Sequence, residues 1–183
     1  MSILWAGLAI FIGVHLMPAL APVKTGLQSR LGENGYKGAF SLVSAIGLGL
    51  IIWGMMNAPR DPVFVPADWA HSAAIIAMPL VMILLAAAHM KGRIRQITRH
   101  PMMLATLIWA ALHYAANGDR ASIWLFGSFA VFAVFSIVTG NMRGAASSFE
   151  IKPKHDFIAI GAGLLVYVAF LFLHPILFGV KLF

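Results

Sequence analysis

A chain of 183 residues that is 61% hydrophobic and only 10% charged, with a mean hydropathy of +0.88, is not a water-soluble domain, in which about a quarter of the residues carry charge. Its formal charge of +7 is spread over short segments between apolar stretches, a pattern that suits an anionic lipid leaflet and argues against nucleic acid as a partner. The absence of cysteine removes disulfides, iron–sulfur clusters, thiolate-bound metals and cysteine nucleophiles, so any metal has to be held by His, Met or carboxylate.

A membrane-spanning helix takes roughly 20 mostly apolar residues, because the hydrocarbon layer is ~30 Å thick and each helical residue rises ~1.5 Å. Six stretches qualify, near 3–21, 39–57, 69–90, 101–116, 122–139 and 156–178. They predict an all-α, polytopic transmembrane helical bundle of about six spans, organised as a single domain over 1–183. The first stretch has no basic residue ahead of it, and Lys24 follows it, so it reads as a retained helix and not a cleaved signal. Pro18 and Pro22 bound it. Gly47 and Gly49 in the second stretch, and Gly161 and Gly163 in the sixth, predict close approach of neighbouring helix backbones, since small residues favour helix contacts in lipid. The fourth stretch is the shortest. Pro101 occupies its first helical position, which predicts extended backbone at Arg99 and His100.

Basic residues set the orientation. Lys24, Arg30 and Lys37 follow the first stretch, Lys91, Arg93, Arg95 and Arg99 the third, and Arg143, Lys152 and Lys154 the fifth, whereas the opposite side carries only Arg60, Arg120 and Lys181. The positive-inside rule places the first set in the cytoplasm and both termini outside.

Ionisable groups within a membrane are costly and point to function, and here nearly all are histidines. His15 is the deepest, about six residues or ~9 Å from the cytoplasmic end of the first stretch. His113 lies in the outer half of the fourth. His89 and His100 flank the basic third loop, His71 and His174 lie near the external surface, and His155 is in a loop. An interfacial histidine usually bonds a carbonyl or a headgroup, which is the expectation for His71, His89, His155 and His174. For His113 the polar turn Asn117, Gly118 and Asp119 offers a capping role as the alternative to a ligand role.

Neutral imidazole is a good iron ligand, and two histidines from separate helices can hold a haem from opposite faces. Phe, Trp and Met side chains are available for an apolar slot, although such stripes are more often packing or lipid-facing surface. Arg95 and Arg99 lie at the positive end of the fourth helix, suited to anionic propionates. His15 and His113 differ in depth by about 9 Å, so His15 with His89 or His100 is an alternative pair. His100 and His113 are poor partners, because thirteen residues turn a helix by ~220°.

The run Arg99, His100, Pro101, continuing through Trp109 to His113 and Asn117, Gly118, Asp119, resembles the NnrU family of bacterial membrane proteins. The opening GLAIFIGVHLMPAL, the LGENGYKGAFSLVS segment from Leu31 to Ser44 and the late LHPILFG around His174 extend the resemblance over essentially the whole chain. It implies a multi-pass protein of the bacterial inner membrane, associated with denitrification gene clusters. It also implies kinship with the 15-cis-ζ-carotene isomerase, a haem b protein whose two histidine ligands correspond to His15 and His113. Isoprenylcysteine methyltransferases share the Arg-His-Pro motif but carry a following Tyr and a later acidic pair, where this chain has Met102, Met103 and a lone Glu150.

Two readings follow from the resemblance. In one, haem b held by His15 and His113, with Arg99, Arg95 and His100 around it, supports redox or isomerase-like activity on a lipophilic substrate. One histidine then has to leave before iron meets a substrate. In the other, the chain is a non-enzymatic accessory or sensor of nitrogen-oxide respiration; a membrane methyltransferase of the isoprenylcysteine type is the third and weaker alternative.

Overall fold

The computed structural model describes residues 1–144, 149–179 and 182. Seven α-helices are described: α1 Ser2–Leu16, α2 Ala21–Asn57, α3 Ala70–Ala87, α4 Arg93–Thr98, α5 Pro101–Ala116, α6 Arg120–Met142 and α7 Lys154–Phe178. Five are long and apolar enough to cross a membrane, and Pro101–Ala116 is a shorter apolar helix, so the expected helical membrane bundle of about six spans is borne out. Lys181, assigned above to the external side, lies outside the described residues. Mid-helix side chains such as Ile76 (78% exposed), Val131 (71%) and Phe172 (73%) are placed for lipid and not for water.

Three local features differ from expectation. α1 stops at Leu16 and the chain tightens into a 3-10 turn over Met17–Ala19. The cause is Pro18: it has no N–H for the carbonyl of Val14, which instead accepts from the Met17 N–H, one residue early. The segment between the first two stretches is helical, because α2 begins at Ala21 and runs through a break at Gly32 (φ 70°, ψ 168°). Arg99, expected to be extended, has φ 57° and ψ −44° and is the one described non-glycine residue with positive φ. His100 (φ −125°) opens α5, with Pro101 in its first turn as expected. The proline keeps His100 out of the helical region, and the sharp turn from α4 into α5 falls on Arg99 instead.

The helices group into two compact units. Unit 1 comprises Met1–Phe64 and Asp119–Ser128. Its main feature is an antiparallel α1–α2 hairpin, in which a Cβ on Gly54 would meet Leu4 Cα at 2.6 Å, one on Gly7 would meet Ile51 N at 2.6 Å, and one on Gly47 would meet Phe11 N at 2.9 Å. The expected close approach therefore occurs at Gly47 but not at Gly49, which has nothing within 4 Å. At one end of this unit Asp119 accepts hydrogen bonds from the Ser122 N–H (3.0 Å) and hydroxyl (2.6 Å). Arg60 also donates to it at 3.4 Å. The Arg120 N–H donates to the Asp61 carbonyl at 3.0 Å.

Unit 2 comprises Val65–Gly118 and Phe129–Phe183, with α3 packed against both α5 and α7. Val81, Leu84 and Ala105 form its core, with Met78, Ile108 and Trp109 against them. Gly163 lets α7 reach α3, since a Cβ there would lie 2.6 Å from Ile83 Cα, whereas Gly161 has open space. Pro79 inside α3 has no N–H to offer the Ile75 carbonyl. Tyr167 of α7 donates its hydroxyl to that carbonyl at 3.1 Å, restoring the partner a backbone group needs in lipid. At the other end Asp156 accepts from the N–H groups of Arg93 (2.9 Å) and Ile94 (3.0 Å). Those bonds satisfy two of the orphan donors that open α4.

Candidate functional site

His15 and His113 prove to be set up alike. Each lies in the last turn of its helix and is half-buried. His15 Nδ1 lies 2.7 Å from the Phe11 carbonyl oxygen, and His113 Nδ1 lies 2.9 Å from that of Trp109. A carbonyl only accepts, so in both rings Nδ1 carries the proton and the imidazole lone pair resides on Nε2. Metal-bound histidines commonly donate their other ring N–H to a carbonyl, which fixes the tautomer and makes the ligating nitrogen more basic.

The aromatic residue supplying that carbonyl also touches the histidine. Phe11 stacks on His15 at 4.2 Å between ring centroids and 30° between planes, and Phe40 meets His15 edge-on at 5.1 Å. Trp109 lies 5.5 Å from His113 and takes Phe129 edge-on at 5.6 Å. Phe11 and Trp109 were not singled out from sequence as site residues, although an aromatic four positions before each histidine was legible in FIGVH and WAALH. Each histidine, taken within its own unit, thus has the tautomer and the aromatic lining that suit an imidazole ligating a flat apolar group.

The early end of α1 also revises the depth of His15. Counted to Leu16, it stands one residue and not six from the end of regular helix. At His113 the capping alternative is realised alongside the tautomer arrangement, for the Asn117 side chain donates to the His113 carbonyl at 2.8 Å. That bond uses the backbone and leaves the ring's role untouched.

Three of the other five histidines are engaged differently. His155 Nδ1 accepts from the Lys91 N–H at 3.0 Å, tying the basic segment to α7. His71 Nε2 lies 3.1 Å from the Leu182 carbonyl oxygen, to which it donates. His100 Nε2 lies 3.0 Å from Asn141 Oδ1, and its ring rests on Gly140, where a Cβ would come within 2.8 Å of Cε1. His100 is thereby clasped to α6 as a packing residue.

The arginines named with these histidines cluster at one end of unit 2. Arg95 sits over the Phe149 ring, with Cζ 5.2 Å from the centroid, and Arg99 is exposed in the positive-φ turn before α5. His100 caps the start of α5 and His113 is in its last turn, about 20 Å apart along the axis. Within this unit Arg95, Arg99 and His100 are brought together, and His113 is not among them. In unit 1 an open cleft of about 300 Å³ is lined by Trp5, Leu8, Trp124 and Ser128, with Trp5 and Trp124 edge-to-face at 5.7 Å. Leu8 precedes His15 by about 10 Å along α1, so this cleft is separate from the histidine. Within either unit, no three His, Asp or Glu side chains among the described residues gather to hold a metal ion.

No curated protein and no solved structure matches the chain. The family model described as NnrU protein matches residues 3–182, which include all seven helices but for the first residue of α1. The chain is a membrane protein that belongs to the NnrU family.

Proposed function

We propose that this protein of the bacterial inner membrane binds haem b, which His15 and His113 would ligate, and serves redox or isomerase-like chemistry on a lipophilic substrate or a role linked to denitrification. The observation that carries the reading is the shared arrangement of the two histidines. In each, a backbone carbonyl four residues earlier accepts a hydrogen bond from Nδ1–H, and the aromatic ring of that same residue lies against the imidazole. Bound haem supplies a one-electron redox centre whose potential follows its axial ligands and surroundings. The chain's part is to hold each imidazole in the basic tautomer and to keep water from it with Phe11, Phe40, Trp109 and Phe129. Arg95 and Arg99 are the proposed partners for carboxylates, with His100 beside them, at their own end of unit 2. The lipid-facing helices suit a substrate that arrives through the bilayer.

The test is an absorption spectrum of protein purified in mild detergent from cells supplied with a haem precursor, oxidised and then reduced with dithionite. A Soret band with sharp reduced α and β bands is expected, lost in both His15→Ala and His113→Ala. A featureless spectrum at full haem supply would overturn the proposal and put the accessory reading first. A haem spectrum that survives both substitutions would overturn the ligand assignment alone.

A further inference from the structure

The first part of α2, residues 21–31, fits neither a loop nor a span. α2 has 37 residues, about 55 Å of helix, nearly twice the ~30 Å of hydrocarbon. Its apolar stretch from 39 onward takes up that thickness, so the part before the break at Gly32 is left outside it. Gly32, at φ 70° and ψ 168°, occupies a backbone region open essentially only to glycine, which lets the two parts of α2 run in different directions.

This outer part has two unlike faces. At ~100° per residue, Leu20, Val23, Leu27 and Leu31 fall in a stripe roughly 80° wide, bordered by Lys24 on one edge and Arg30 on the other. Leu20, Val23 and Leu31 are 55%, 44% and 50% exposed. The far side carries Thr25 and Ser29, whose hydroxyls donate to carbonyls of the same helix, at Ala21 (2.9 Å) and Gly26 (2.9 Å). Among the described residues neither Lys24 nor Arg30 forms an ion pair, and the nearby acid, Glu33, is taken by Lys37 at 2.6 Å. An exposed apolar stripe flanked by cations is the arrangement of a helix lying in the membrane surface, with its alkyl-stemmed cations reaching up to the headgroups.

We propose that residues 21–31, with Leu20 capping them, form an in-plane amphipathic helix that binds anionic phospholipid headgroups, with Lys24 and Arg30 each meeting a lipid phosphate and the Leu20, Val23, Leu27 and Leu31 stripe seated at the acyl boundary. Charge complementarity selects this occupant. Both cations face the leaflet that the positive-inside rule makes cytoplasmic, where anionic lipid attracts juxtamembrane basic residues. The inference is independent of haem.

Because the chain has no cysteine, single spin labels can be placed uniquely in the full-length protein. Val23→Cys, Leu27→Cys, Thr25→Cys and Ser29→Cys would each be labelled and reconstituted in bilayers of phosphatidylcholine with or without phosphatidylglycerol. The expected result is access to oxygen over a water-soluble nickel chelate at 23 and 27, and the reverse at 25 and 29. Spin-labelled phosphatidylglycerol is expected to associate in preference to phosphatidylcholine, and the preference to fall in Lys24→Gln/Arg30→Gln. Equal access to the chelate at all four positions would place the segment in water and overturn the proposal. Exclusion of both reagents at 23 and 27 would indicate protein contact and also overturn it. The alternating pattern without any dependence on anionic lipid or on the two cations would overturn the headgroup recognition.

Discussion

In unit 1 the helix carrying His15 is held by bare contact of backbones at Gly7, Gly47 and Gly54, whereas the helix group carrying His113 combines one such contact, at Gly163, with polar clasps. Tyr167 reaches across to the Ile75 carbonyl, and Asp156 and His155 hold the segment that opens α4. The same local histidine device is thus mounted on two kinds of support. Glycine contact relies on dispersion, which acts only at short range and is lost with a small displacement. A polar clasp within the spans, such as that of Tyr167, fails differently: removing one partner strands the other where no water can replace it.

The contrast is sharpest at Gly54. Gly54→Ala pushes a methyl into the Leu4 backbone, which has no flexible side chain to give way, and is expected to cost about 1–3 kcal/mol through overpacking. The corresponding Gly49→Ala has open space and should leave thermal unfolding in detergent almost unchanged. Equal effects at the two positions would contradict the hairpin packing.

Tyr167→Phe tests the other kind of support. It retains the ring but strands the Ile75 carbonyl opposite Pro79, a loss of about 1–2 kcal/mol. Pairing it with Pro79→Ala, which restores an N–H to the helix, should recover most of that loss. Absence of such recovery in a double-mutant comparison would show that the hydroxyl serves some other purpose.

Asp119 adds a pH-dependent element to unit 1. Burial raises its pKa, but the hydrogen bonds from Ser122 and the nearby Arg60 outweigh burial and hold it below the ordinary value of 3.8. A carboxyl depressed on folding contributes stability that is present above its unfolded pKa and is lost as pH falls through the folded one. Asp119→Ala should therefore cost about 0.5–2 kcal/mol at neutral pH, as loss of an N-terminal cap does. The gap from the unsubstituted protein should narrow below pH 3.8, as followed by unfolding midpoints across an acid series.

The smallest effect is expected at the rings before the histidines. Phe11→Leu and Trp109→Leu remove an aromatic contact worth about 0.5–1.5 kcal/mol but keep the backbone carbonyl. The Nδ1-protonated tautomer should persist at both histidines, read by nitrogen chemical shifts of labelled imidazole. A switch to the other tautomer in either variant would show that the ring, and not the carbonyl, sets it.

Composition and the six apolar stretches were enough to establish a helical membrane protein, because hydrocarbon thickness imposes a length on each span and leaves the pattern in plain view. Pro101 marked the start of α5 correctly, since a residue without an N–H belongs in a first turn. Gly47 and Gly163 were legible as contact points but could not be told from Gly49 and Gly161, as facing a neighbour depends on how each helix is rotated. The histidines were visible for their cost in lipid. Their tautomers were not, since a ring nitrogen's partner depends on the rotamer it adopts.

What the sequence by itself determined is the membrane class, the helical spans and the set of histidines and arginines available for chemistry. These follow from local composition and from the price of polar groups in lipid. The tertiary structure decided that α1 ends beside His15, that the segment from Ala21 is a helix and not a loop, that Arg99 takes the strained turn, and that Tyr167 completes α3 where Pro79 breaks it. Each of these depends on where a backbone group finds its hydrogen-bond partner or a turn finds room, and such partners can lie almost a hundred residues away in the chain.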